Sequence, residues 1–113
     1  MTNKDISILL IDDDKYVLDS SSLFLGECGY NVTPCDSGAA AIARIKQKEF
    51  DVVVTDVKMP NMTGIEVLEN IHRHDSGIPV ILMTAYAELD VAVSAIKKGA
   101  FDFLVKPCPP GYL

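Results

Sequence analysis

Five short apolar runs alternate with stretches that repeat apolar residues at helical spacing, and this alternation limits the 113-residue chain to a narrow set of folds. The runs are ISILLI (6–11), YNVT (30–33), DVVVT (51–55), PVILM (79–83) and FDFLV (101–105). Most are continuous rather than alternating apolar with polar, the pattern of strands covered by helices on both faces. Strand and helix in strict succession imply a parallel, doubly wound α/β sheet with right-handed crossovers. The length suits one domain around one core.

The intervening segments supply the helices. Val17, Ser21, Phe24 and Cys28, joined by Leu18 and Leu25, form a stripe that stops at Gly29 and is expected to face the sheet. Ala39, Ile42 and Ala43 give the inner face of a second helix, opened by Asp36 or Ser37. Thr63-Gly64-Ile65-Glu66 is a capping-box pattern for a third, with Ile65, Leu68 and Ile71 facing inward and Gly77 as its stop. Leu89, Ala92, Val93 and Ile96 give a fourth inner face, closed by Lys97, Lys98 and Gly99, the lysines suiting the negative helix end. A helix covering the fifth strand would need roughly ten further residues, whereas CPPGYL follows Pro107. The expectation is one domain over 1–113, truncated at its C-terminus and forming the N-terminal part of something longer.

A net charge of −6 argues against a nucleic-acid surface, because phosphate binding needs clustered Lys and Arg. The opening MTNKDIS has no basic-then-apolar leader pattern, and no apolar run approaches the ~18 residues of a membrane span. A cytoplasmic protein without membrane contact is expected. Cys28, Cys35 and Cys108 form no CxxC pair, so they read as reduced thiols packed as small hydrophobes rather than as a zinc site or a disulfide framework.

In an open parallel sheet every strand ends on one edge, and ligands gather there where the strand order reverses. The first strand ends on Asp12, Asp13 and Asp14, the third on Asp56, the fourth on Thr84 and the fifth on Lys106. The second ends on Thr33-Pro34-Cys35, which suits a strand outside the site. Adjacent acids repel, so the triplet demands compensation. Carboxylates from the first and third strands, brought together, favour a hard divalent cation such as Mg2+. Lys106 and Thr84 add an ammonium and a hydroxyl, the groups that would hold the oxygens of a phosphoryl group carried on a carboxylate. Asp56 is the candidate nucleophile, standing between the other acids and followed by the loop VKMPNMTG. Asp14 reads instead as the cap of the helix that begins at Lys15, or as a solvated loop residue. His72 and His74 point to different helix faces and read as charges near a helix C-terminus rather than as metal ligands. Met59 and Met62 read as loop packing.

The motifs LLIDDD, VVVTDVKMPNMTG, VILMTAY and GAFDFLVKP, in that order and at that spacing, resemble the receiver domain of bacterial two-component response regulators over nearly the full length. The resemblance implies a flavodoxin-like, five-stranded sheet in the order 2-1-3-4-5, with the last helix largely absent from this chain. It implies a phosphorylation-activated switch rather than an enzyme: a sensor histidine kinase passes a phosphoryl group to Asp56 with Mg2+, and the change is relayed to an output domain or effector. Self-phosphorylation from a small phosphodonor and autodephosphorylation are expected with it. The ending FDFLVKP resembles receivers of transcription activators. By position, Asp13 and Asp56 would bind Mg2+ directly together with the backbone carbonyl of Lys58, and Asp12 through water. Thr84 would bond a phosphoryl oxygen and move on modification, and Lys106 would pair with the phosphoryl group. Phe103 would be the switch aromatic, against the plainer reading of a core side chain, and Lys58 and Tyr86 would tune the phosphate lifetime. Lys106-Pro107 would be a cis peptide. Homodimers would form through the fourth helix and fifth strand. Cys108 departs from the family, which often has Phe there.

Two other functions use related parts. A flavin-binding module of this fold needs a phosphate-cradling Ser, Thr or Gly loop after the first strand, where this chain has three acids. An aspartyl-phosphate hydrolase would want a second acid two residues after the nucleophile, where Lys58 stands.

Overall fold

The computed structural model of the chain describes residues 5–85 and 89–106. The elements are β1 (Ser7–Ile11), α1 (Lys15–Glu27), β2 (Asn31–Cys35), α2 (Gly38–Gln47), β3 (Val52–Asp56), α3 (Gly64–His74), β4 (Val80–Ala85), α4 (Leu89–Lys97) and β5 (Asp102–Lys106). The strands form one parallel sheet in the order β2-β1-β3-β4-β5. This is the flavodoxin-like order expected. β2 runs through Cys35 rather than ending at Thr33, and Pro34 lies within it beside Leu10. An edge strand tolerates this proline because only one side of it needs ladder donors.

From β1 the chain steps to one side, to β2, and thereafter only to the other. Right-handed crossovers then place α1 on one face and α2, α3 and α4 on the opposite one. The side chains divide accordingly. Leu9, Ile11, Val53 and Leu82 pack with Ala41 and Ile45 of α2, Val67, Leu68 and Ile71 of α3, and Ala95 of α4. Ile8, Leu10, Val54 and Met83 pack with Leu18 and Leu25 of α1. On the α1 side a trough of about 370 Å³ remains, lined by Leu25, Tyr30, Val52, Val54, Ile81 and Leu104 among others. No helix among the described residues is long and apolar enough to cross a membrane.

The capping box of α3 is present: Thr63 Oγ1 accepts from the Glu66 N–H at 3.2 Å, and Glu66 Oε1 accepts from the Thr63 N–H at 3.2 Å. Several helix faces differ from expectation. In α1 the buried line is Leu18, Ser21 and Leu25, with Val17 and Phe24 half-buried and Cys28 exposed. The apolar residues cluster around Leu18 and Leu25, so the helix turns that line to the sheet. Ser37, not Asp36, caps α2, and Gly38, Ala41 and Ile45 are buried while Ala39 and Ala43 are exposed. Gly38 fixes this orientation, since a Cβ there would stand 2.8 Å from Met62 Sδ and 2.9 Å from Val67 Cγ2. Asp75 caps the end of α3, and Gly77 lies beyond it, donating its N–H to Asp75 Oδ1 at 2.9 Å. In α4 the small Ala95 is buried, whereas Val93 and Ile96 are 47% and 39% exposed. That helix is apolar around most of its circumference, so spacing alone does not choose a face. The side chains of Leu89 and Ala92 lie outside the described residues.

His72 lies in the last turn of α3, as expected, and is half-buried: its Nε2 is 2.9 Å from the Ile78 carbonyl, and it packs where α4 turns into β5. At that turn Gly99, with φ +112°, closes α4, as its N–H bonds the Ile96 carbonyl at 3.2 Å and the Ala100 N–H bonds the Ala95 carbonyl at 3.0 Å. A Cβ on Gly99 would also stand 3.1 Å from His72 Nδ1. Gly99→Ala is therefore expected to lower stability by about 1–2 kcal/mol. Gly26→Ala, in α1 with nothing within 4 Å of its added carbon, is expected to raise it by up to about 1 kcal/mol. Urea denaturation of the two variants checks both signs.

Candidate functional site

Ile11 of β1 lies beside Thr55 of β3, so the next residues, Asp12 and Asp56, leave neighbouring strands side by side where the strand order reverses. One carboxylate oxygen from each of Asp12, Asp13 and Asp56 lies within 4.8 Å of the others. Asp12 is 2% and Asp56 7% exposed, and Asp13 is exposed. Like charges this close and this far from water repel strongly unless a cation joins them. Three carboxylate oxygens converging from the loop after β1 and the end of β3 form the donor set of a small hard cation, so the residues present fit Mg2+.

The local chain holds these acids in place. The Asp12 N–H donates to the Cys35 carbonyl at 3.1 Å, tying the end of β1 to the end of β2. Asp12 Oδ1 accepts from the Asp14 N–H at 2.9 Å. Asp14 is the cap of α1, its Oδ1 accepting from the N–H groups of Tyr16 at 3.0 Å and Val17 at 3.3 Å. The triplet therefore divides between the carboxylate cluster and the helix.

Around Asp56 two features escaped sequence reasoning. Thr55 Oγ1, fully buried, donates to the Asp56 carbonyl at 3.1 Å. Gly64 starts α3 directly against the same backbone: its N–H donates to the Val57 carbonyl at 2.8 Å, and a Cβ there would overlap the Asp56 carbonyl oxygen and stand 2.9 Å from Val57 Cα. The available signals were a hydroxyl ending an otherwise apolar run and a glycine at the first position of a helix, where propensity argues against it. The loop between passes through Asn61 at φ +70°, and Met59 is buried and Met62 half-buried against the core, as loop packing.

Thr84 is fully buried on β4, one residue past Met83, the register partner of Asp56. Phe103 is half-buried on β5 beside Leu82 and packs on the larger core. Lys58 is exposed in the loop after β3. Lys106 ends β5 beside Ala85; its side chain, and all of Tyr86, Pro107 and Cys108, lie outside the described residues. Cys35 is buried, and burial pushes its thiol pKa up against the opposing pull of Arg44, so it stays neutral beside the acids. Exposed Cys28 does not pack as a small hydrophobe.

Residues 8–113 match the family model described as the response regulator receiver domain. The chain is 39% identical over 107 residues to the transcriptional regulatory protein ZraR of Klebsiella oxytoca, covering 95% of this chain and 24% of that protein. It is 41% identical over 113 residues to the phosphoglycerate transport system transcriptional regulatory protein PgtA of Salmonella typhimurium, covering 100% of this chain and 27% of that one. The chain thus spans about a quarter of the length of these curated relatives. Among solved structures, a response regulator receiver domain protein from Clostridium thermocellum superimposes with a TM-score of 0.90 at 32% identity, covering 94% of this chain and 86% of that one.

Gly64→Ala is expected to cost about 1–3 kcal/mol, because the carbon it adds must displace the strand end that carries Asp56. Urea denaturation measures the cost.

Proposed function

The chain belongs to the family of response regulator receiver domains, and within it we propose that Asp56 accepts a phosphoryl group from the phosphohistidine of a sensor histidine kinase. The observation that carries this reading is the convergence of Asp12, Asp13 and Asp56 within 4.8 Å, on the sheet edge where Thr84 lies buried one residue past the register partner of Asp56 and where β5 ends on Lys106. An Asp56 oxygen forms its bond to phosphorus as the bond from phosphorus to the kinase imidazole breaks, and the imidazole takes up a proton. Asp13, Asp56 and the Lys58 carbonyl would hold Mg2+ directly, with Asp12 acting through water. When bound, that ion neutralises the carboxylates and draws charge from the transferring oxygens. The Thr84 hydroxyl donates to a phosphoryl oxygen, and Lys106 pairs with the group's remaining charge. Lys58 and Tyr86 stand where they would govern how readily water reaches the acyl phosphate.

The relay begins at Thr84. Drawn toward the phosphoryl group, it vacates space within the sheet that Phe103, half-buried one strand away, turns to fill. The change would reach the surface at α4 and β5, where Val91, Val93 and Ile96 are exposed and Phe101 is 70% exposed. Exposed apolar side chains on α4 and in the turn before β5 support a protein contact there, with an output domain or a second copy. A transcription regulator several times the length of this segment accords with the relatives, and its contact with DNA would lie outside this acidic segment.

Incubation with a small acyl-phosphate donor and Mg2+, read by intact mass, tests the reading. Wild type is expected to gain one phosphoryl group, and Asp56→Ala or chelation of the metal to prevent it. Thr84→Val is expected to slow the reaction roughly 10- to 100-fold, the worth of one hydrogen bond to a charged group. Undiminished labelling of Asp56→Ala would refute the assignment.

A further inference from the structure

Asp14 bonds through its N–H, its carbonyl and one carboxylate oxygen. Its N–H donates to Asp12 Oδ1 at 2.9 Å, and its carbonyl accepts the Leu18 N–H at 2.9 Å. Its Oδ1 accepts from the N–H groups of Tyr16 and Val17. One residue therefore joins the carboxylate cluster to the first turn of α1. That turn has little else to hold it, since Lys15 is exposed, Tyr16 is 81% exposed and Val17 is only half-buried. Helix starts of this kind depend on the cap for their order.

We propose that Asp14 is a positioning residue for the cation site: by capping α1 it holds the backbone N–H that orients the Asp12 carboxylate. This rests on the reading of Asp12, Asp13 and Asp56 as a Mg2+ site. Mg2+ demands near-ideal geometry from its surroundings, so a carboxylate held in one orientation before the ion arrives binds it more tightly than one that wanders. The Asp14 carboxylate is exposed and turned to the helix amides, so its charge acts on the cluster through the high dielectric of surrounding water, where it is weak. Its contribution is therefore one of geometry rather than of charge. The coupling runs both ways, so a cation that fixes Asp12 also steadies the turn that Asp14 caps.

The test separates cap from charge in the 113-residue chain. Mg2+ affinity is measured by calorimetry, without phosphodonor, for wild type, Asp14→Ala, Asp14→Asn and Asp14→Ser, with circular dichroism to confirm that each is folded. Asn and Ser cap helices but carry no charge, and Ala does neither. Asp14→Ala is expected to weaken Mg2+ binding about three- to tenfold, in proportion to the usual worth of a cap, while Asn and Ser stay within about twofold of wild type. Hydrogen exchange adds a readout on the helix: Mg2+ is expected to slow exchange of the Tyr16 and Val17 amides in wild type and in the Asn and Ser variants. Equal weakening in all three variants would mean that charge alone matters and would overturn the proposal, as would unchanged affinity in Asp14→Ala. A wild-type chain that takes up no Mg2+ would overturn the cation site itself, a result distinguishable from failure of Asp14 alone.

Discussion

Parallel pairing of β1 with both β2 and β3 is the constraint on which the rest of the structure depends. It sets the point where the chain reverses its direction across the sheet, puts α1 alone on its face among the described helices, and brings the ends of β1 and β3 together. Asp12 and Asp56, 44 positions apart in sequence, become neighbours because Ile11 and Thr55 are ladder partners. A register slip of one residue would turn Asp56 to the opposite face of the sheet, away from Asp12. The site is in that sense a property of the ladder.

A cluster of like charges at the end of a hydrophobic sheet is a liability for folding, and the local structure is arranged to hold it. Two backbone contacts fix Asp12, one from its own N–H to Cys35 and one to its carboxylate from Asp14. On the other side, Gly64 lets α3 begin against the Asp56 backbone, and Thr55 spends a buried hydroxyl on the Asp56 carbonyl. The Asp12 carboxylate is thus oriented by a main-chain N–H, and the backbone that carries Asp56 is held by Gly64 and Thr55. Such preorganisation is what a small, geometrically demanding cation requires. The same edge carries Thr84 at zero exposure, a hydroxyl whose movement would have to be felt by the core around it.

Local interactions were the legible part of the sequence. The capping box at Thr63 and Glu66 forms between residues three apart, and the cap at Asp14 between residues two and three apart, so neither waits on the rest of the fold. The strands were legible because runs such as DVVVT are apolar on both faces, which only a sheet covered on both sides can bury. Helix orientation was less legible. α1 and α4 carry apolar residues around much of their circumference, and the lines that face inward, Leu18 to Leu25 in one and Ala95 in the other, were chosen by what the sheet could receive. Gly38 and Gly64 were illegible for a related reason, since nothing in their own segments tells how closely another part of the chain will approach.

By itself, then, the sequence determined the alternating elements, their caps, and the placing of acids, a hydroxyl and an ammonium after successive strands, because each depends on residues within a few positions of one another. The tertiary structure decided which helix faces are buried, where backbones meet without room for a Cβ, and that the acids at the ends of β1 and β3 stand within reach of one another. Those outcomes depend on contacts between distant segments, whose energies are comparable among several arrangements until packing selects one.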